Sequence, residues 1–111
     1  MLMNYDEEAK IIAAYINANT KHDLNVTPEN LSGDTPFKVA LNGQSDFQAE
    51  MQAFVQNMRD QVICSAPVQV FPLEHEGKKV YSVLLPLGTI ADFQFHDEEV
   101  CTISLRSFVG L

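Results

Sequence analysis

The fold is decided by residues 68–108, VQVFPLEHEGKKVYSVLLPLGTIADFQFHDEEVCTISLRSF. Apolar and polar residues alternate along this stretch with the period of two that is typical of half-buried β-strands. A turn segment around Gly77 and an acidic segment at 97–99 interrupt the alternation, and Gly88 and Thr89 join the two halves. The pattern predicts two successive β-hairpins, with strands over residues 68–73, 79–85, 90–95 and 100–108.

The residues before this stretch have helical periodicity instead. Asp6 is a good N-cap, and Ile12 and Ile16 recur on one face, which predicts a first helix over about residues 6–19. Thr27 followed by proline predicts one short helical turn that ends by residue 33.

A second main helix is predicted after Ser45, which has capping-box spacing to Gln48. It carries an apolar stripe of Met and Phe type that we interpret as a core face, with a groove for a partner as the alternative; the stripe comprises Phe47, Met51, Phe54, Val55, Met58 and Val62. Residues 37–41 predict a short strand ahead of this helix.

Together these elements predict an α+β fold in which two main helices are followed by a four- to five-stranded antiparallel sheet, a meander of two hairpins. The length of 111 residues predicts one domain over residues 1–111. Pro72 has no backbone N–H to donate, so its strand is expected at an edge of the sheet or at a bulge.

The chain is acidic, with 15 acidic and 7 basic residues and a formal net charge of −8. This charge disfavours binding to nucleic acid and to anionic membranes and favours a basic partner, although solubility alone accounts for it equally well. The N-terminal residues lack the basic and apolar regions of a secretory signal, and we expect a cytoplasmic protein without membrane contact.

No nucleophile motif, metal-protease motif or Gly-rich phosphate loop is present, so we expect no enzyme, no cofactor and no metal site. His75 and His96 stand beside carboxylates, but alternating strand residues point to opposite faces and turn residues are solvated, which disfavours a metal or acid–base site. Cys64 and Cys101 lie far apart in the sequence, and we interpret both as buried thiols.

The candidate partner-binding residues are carboxylates in two clusters. Alternate turns of a meander lie at the same end of the sheet, so the turns at Gly77 and at 97–99 are expected to meet there. One cluster gathers at this end and in the strand leading to it; its members are Glu74, Glu76, Asp92, Asp97, Glu98 and Glu99. The other cluster is the predicted first turn of the first helix, where negative charge favours the helix dipole; its members are Asp6, Glu7 and Glu8.

In length, acidity and order of helices and strands, the chain resembles the small bacterial DNA-mimic proteins, in particular a short monomeric family that engages the nucleoid protein HU. The resemblance implies that surface carboxylates stand in for DNA phosphates and occupy the DNA-binding surface of a basic partner. The alternative is an immunity or secretion-chaperone type of protein that caps a toxin or effector. We expect a monomer or a weak dimer.

Overall fold

The structure is a computed structural model that describes residues 5–19, 24–32, 35–41, 45–59, 61–63, 66–86, 88–96 and 99–107. It confirms the predicted α+β class, with helices packed on one face of a five-stranded antiparallel sheet. No helix of the described residues is long and apolar enough to cross a membrane.

The described residues form three helices, α1 (Tyr5–Asn19), α2 (Pro28–Ser32) and α3 (Ser45–Gln56). The short α2 begins as its sequence predicts: the Thr27 hydroxyl accepts from the backbone N–H of Asn30, and the Asn30 side chain accepts from the N–H of Thr27. This reciprocal arrangement satisfies two backbone donors at the start of the helix.

The strands run in chain order from β1 to β7, and β1 precedes α3; their bounds are β1 (Phe37–Ala40), β2 (Val62–Ile63), β3 (Ala66–Pro67), β4 (Gln69–His75), β5 (Lys78–Leu84), β6 (Thr89–His96) and β7 (Val100–Ser107). The main sheet has the order β1-β7-β6-β5-β4, and β2 and β3 form a separate two-stranded ribbon. The meander of two hairpins is therefore extended by β1, which pairs with β7. Pro72 lies in β4, which confirms the prediction of an edge strand.

The predicted apolar stripe is buried where it is described, which confirms its interpretation as a core face; its buried members are Met51, Phe54 and Val55 in α3 and Met58 in the turn that follows it. Phe47 has a side chain outside the described residues. The expectation was wrong for Val62, because α3 ends at Gln56 and Val62 lies in β2 with its side chain 68% exposed.

The two faces of the sheet differ in what covers them. On the inner face, Tyr81, Phe93 and Ile103 lie side by side on neighbouring strands and are buried under the helices. The Phe54 ring of α3 meets Phe93 at 6.4 Å and Tyr15 of α1 at 5.7 Å, so both long helices close over this row. These contacts place the core between the helices and the inner face.

Residues one position along each strand project to the other face, because side chains alternate across a strand. A representative row on this outer face is Phe71, Ser82, Asp92 and Ser104 on β4 to β7. Among the described residues, the core cluster that the helices form with the sheet contains no side chain of this face. It carries two exposed large apolar side chains of β4, Phe71 and Leu73, at 44% and 52% exposure.

Candidate acidic interaction surface

The turn between β4 and β5 is shorter than its sequence suggested. The strands continue through His75 and Lys78, which pair with each other, and only Glu76 and Gly77 form the turn. Both have positive φ angles, 53° and 78°, as a two-residue turn of type I′ requires. This conformation is common for glycine and uncommon for glutamate, so the exposed Glu76 adopts it at some conformational cost.

The register of the sheet confirms that the two candidate turns lie at the same end. His75 pairs with Lys78, Lys79 pairs with Phe95, and His96 pairs with Val100. Each of these pairs therefore lies at or next to the same end of the sheet, which we call the turn end. Of the predicted residues at 97–99, Glu99 is exposed, whereas Asp97 and Glu98 lie outside the described residues.

Glu99 sits on an anchored backbone. Its carbonyl oxygen accepts a hydrogen bond from the N–H of Leu41 at 2.7 Å, just beyond the end of β1. Leu41 itself is buried in the core. The exposed carboxylate of Glu99 is thus carried by a segment tied to the rest of the fold.

The turn end has both signs of charge. The exposed carboxylates of Glu74, Glu76 and Glu99 share it with the ammonium groups of Lys78 and Lys79. The sheet alternation puts Glu74 and Lys79 on the inner face, directly opposite each other, so the described part of this cluster is not a uniform array of negative charge.

The two histidines considered for metal binding have other surroundings. Nδ1 of His96 lies 3.4 Å from the Lys78 ammonium, and its Nε2 lies 3.0 Å from the Thr102 hydroxyl. Nε2 of the exposed His75 is 3.8 Å from a carboxylate oxygen of Glu76. Within the described residues, no group of three or more His, Cys, Asp or Glu side chains could hold a metal ion.

Asp92 lies in β6, the strand that leads to the turn end, as its sequence position predicts, but its carboxylate is not at that end. It lies four residues before His96, about 13 Å away along an extended strand, on the outer face. One carboxylate oxygen accepts from the Ser82 hydroxyl at 2.6 Å, and the other accepts from Nε of Arg106 at 2.6 Å. These contacts neutralise its charge within the protein.

The helical cluster also needs a correction. Glu7 is exposed, but Glu8 is fully buried, and its carboxylate accepts from the backbone N–H of Thr89 at 3.0 Å. This hydrogen bond ties α1 to the connection between β5 and β6. Glu8 is therefore a structural residue and has no surface to offer a partner, while the side chain of Asp6 lies outside the described residues.

Cys101 is confirmed as a buried thiol, and Cys64 lies outside the described residues. Burial raises the pKa of the Cys101 thiol to about 12, because the thiolate would lose its hydration. The nucleophilic form is therefore scarce near neutral pH, and the Cys101 side chain is suited to packing.

Carboxylates are unequally divided between the two sides of the molecule. Among described side chains in strands, Asp92 is the only carboxylate that projects from the outer face, where Lys38, Lys78 and Arg106 also project. The exposed carboxylates outside that face lie on helices, at the turn end or on the inner face of β4; they are Glu7, Glu29, Asp46, Glu74, Glu76 and Glu99.

Comparison of the chain with protein-family models, with curated proteins and with solved structures found no match.

Proposed function

We propose that this chain is a non-enzymatic binding protein of the bacterial cytoplasm that acts as a DNA mimic. Its exposed carboxylates would occupy the DNA-binding surface of a basic nucleoid-associated protein of the HU type. The observation that supports this most directly is the unequal division of charge, which leaves the helical side and the turn end as the acidic surface of a chain with net charge −8.

The physical basis is competition with DNA phosphates. Duplex DNA presents one negative charge per roughly 1.7 Å of its axis, and its binding proteins line up Lys and Arg side chains against that array. The carboxylates of Glu76 and Glu99 are carried by an anchored backbone. They can therefore pair with the Lys and Arg side chains of such a partner without rearrangement of the fold. Asp97 and Glu98, which directly precede Glu99 in the sequence, are included in the proposed binding surface. Glu8 and Asp92 are excluded from it because their carboxylates are bound within the protein.

The test is binding to purified HU, measured by calorimetry at about 0.1 M and about 0.5 M salt. Affinity should fall steeply as salt rises, because charges at a surface are screened over about 10 Å at 0.1 M ionic strength. Added duplex DNA should displace the chain from HU. Binding that is insensitive to both salt and DNA would contradict the proposal.

Charge-neutral variants locate the surface. The combined changes Asp97→Asn, Glu98→Gln and Glu99→Gln should weaken binding, whereas Asp92→Asn should leave it unchanged because Arg106 already neutralises that carboxylate. A second double variant, Asp6→Asn with Glu7→Gln, tests the helical cluster and leaves the buried Glu8 in place. If neither cluster variant loses affinity for HU, binding through these carboxylates is contradicted.

The alternative is a protein that caps a toxin or effector through apolar contact. The buried stripe of α3 gives no support to a groove-binding helix, but the exposed Phe71 and Leu73 of β4 favour an apolar contact surface. If Phe71→Ser weakens capture of the partner and the cluster variants do not, the capping function takes precedence.

A further inference from the structure

A cavity of about 260 Å³ lies between the C-terminal halves of α1 and α3. Its described lining consists of Tyr15, Asn19, Glu50, Ala53, Phe54 and Asn57, and so contains a carboxylate and no Lys, Arg or His side chain. Pockets for small molecules usually measure about 300–1,000 Å³. The size therefore fits a single side chain of a partner better than a separate ligand.

The cavity follows from the spacing of residues along the two helices. Glu50, Ala53 and Asn57 are three and four positions apart, so they share one face of α3. The N–H of Asn57 donates to the carbonyl of Ala53 at 2.8 Å, which continues the helical turn to the end of the cavity. On α1, the Tyr15 ring reaches across to Phe54, with ring centroids 5.7 Å apart. The small side chain of Ala53 leaves space beside this contact.

The aromatic part of the lining is held in place by the core. Phe54 is only 8% exposed, and its ring also meets Phe93 of the sheet at 6.4 Å. Tyr15 is half-buried and packs against Phe54. The face of an aromatic ring is negative and attracts a cation placed over it. The two rings thus provide a fixed surface on which a cationic group can stack.

The electrostatics of the cavity also favour a cation. Glu50 is half-buried, where attraction between charges exceeds that in bulk water, and the exposed Asp46 precedes it by one turn on the same face. The last carbonyls of a helix carry partial negative charge, and neither α1 nor α3 has a basic residue in its last turn. Arg59, shortly after α3, lines a different cavity with Val70 and Tyr81.

Among cationic side chains, arginine matches this lining best. Nδ2 of Asn19 donates to the carbonyl of Tyr15 at 2.8 Å, so its Oδ1 remains to accept a hydrogen bond. A guanidinium is planar and has five N–H donors, so it can stack on the Tyr15 ring and donate to the oxygens of Glu50 and Asn19 at the same time. The ammonium of lysine has no planar face to stack.

We propose that this cavity receives one arginine side chain of a basic protein partner, with the guanidinium stacked on Tyr15 and hydrogen-bonded to Glu50. The inference deepens the proposed function, on which it rests for the basic nature of the partner, and assigns an anchor point within the acidic helical side. The lining residues belong to neither of the two carboxylate clusters that the sequence predicted.

The test is a nuclear magnetic resonance titration of the full chain with the capped peptide Gly-Ser-Arg-Ser-Gly. Saturable shifts are expected at the side-chain amides of Asn19 and Asn57 and at the ring of Tyr15. The same peptide with citrulline, which has the shape of arginine without its charge, should produce none, and the lysine peptide should bind more weakly. No saturable shift at millimolar arginine peptide, or equal binding of the citrulline or lysine peptide, would overturn the proposal.

Matched variants separate the site from the general negative charge of the chain. Glu50→Gln should weaken the arginine peptide about threefold, whereas Glu29→Gln, at an exposed position of α2 outside the cavity, makes the same change in net charge and should have little effect. Tyr15→Leu should also weaken it about threefold, and Tyr15→Phe, which keeps the ring, should not. Equal effects within either pair would refute the site.

Titration of the same variants with HU distinguishes this inference from the proposed function. Glu50→Gln and Tyr15→Leu should weaken HU as they weaken the peptide. If HU binds with the expected sensitivity to salt and DNA but is unaffected by both variants, the proposed function stands and the arginine anchor is wrong. If HU does not bind while the arginine peptide binds and responds to both variants, the proposed function fails and the arginine site is supported.

Discussion

The two faces of the sheet have the same alternating sequence pattern but differ in how fully their aromatic side chains are covered. On the inner face Phe93 is fully buried beneath Phe54 of α3, whereas on the outer face Phe71 is 44% exposed. The difference arises because both long helices pack on one side only, and because Phe71 belongs to the edge strand. Aromatic residues of equal size thus belong to the core in one case and to an accessible surface in the other.

The largest expected effect is on stability, from truncating an inner aromatic. Phe54→Ala should lower the free energy of unfolding by about 3–5 kcal/mol, because it removes contacts with Tyr15 and Phe93 and leaves a cavity. The matched change Phe71→Ala on the outer face should cost less than about 1 kcal/mol. Urea denaturation measures both; similar losses would show that the outer face is covered as well.

The reactivity of the Cys101 thiol measures the burial of the same inner face. With burial raising its pKa from 9.0 to about 12, its thiolate fraction near pH 8 should be about a thousandfold below that of an unfolded cysteine. In a Cys64→Ser background, alkylation of the native protein should therefore be slow and should become fast in denaturant.

The raised pKa of Cys101 also predicts how stability depends on pH. Its contribution is fully present below about pH 9 and is lost as pH rises toward about 12, because the unfolded chain releases the thiol proton first. A Cys101→Ala variant should lose this part of the alkaline decline. Rapid alkylation of the native thiol would contradict its burial.

A smaller effect is expected at the contact between α1 and the sheet. Glu8→Ala should cost about 1–3 kcal/mol, because it leaves the buried N–H of Thr89 without this acceptor. Hydrogen exchange at the Thr89 amide should quicken in the variant. Glu8→Gln keeps an acceptor oxygen and should cost less, and Glu7→Ala at the exposed neighbouring position should have no measurable effect; equal losses at both positions would refute the structural role of Glu8.

Some of the candidate surface could be predicted from sequence, and some could not. The alternation of a meander is enough to place the turn at Gly77 and the residues at 97–99 at one end, since each strand reverses the direction of the last. The sequence could not predict that the carboxylates of Glu8 and Asp92 are bound within the protein. Their partners are the Thr89 backbone, which is distant in sequence, and Arg106, which lies on another strand.

The sequence by itself determined the local structure: the period of two after residue 68, the helical stripes before it, the N-cap at Thr27 and the edge position implied by Pro72. These follow from backbone geometry and hydrogen bonding over a few neighbouring residues. Only the tertiary structure decided which face of the sheet the helices cover, that β1 joins β7, and which carboxylates are exposed. Those outcomes depend on packing between segments far apart in the chain, where burial and the pairing of charges are settled by neighbours that local sequence does not specify.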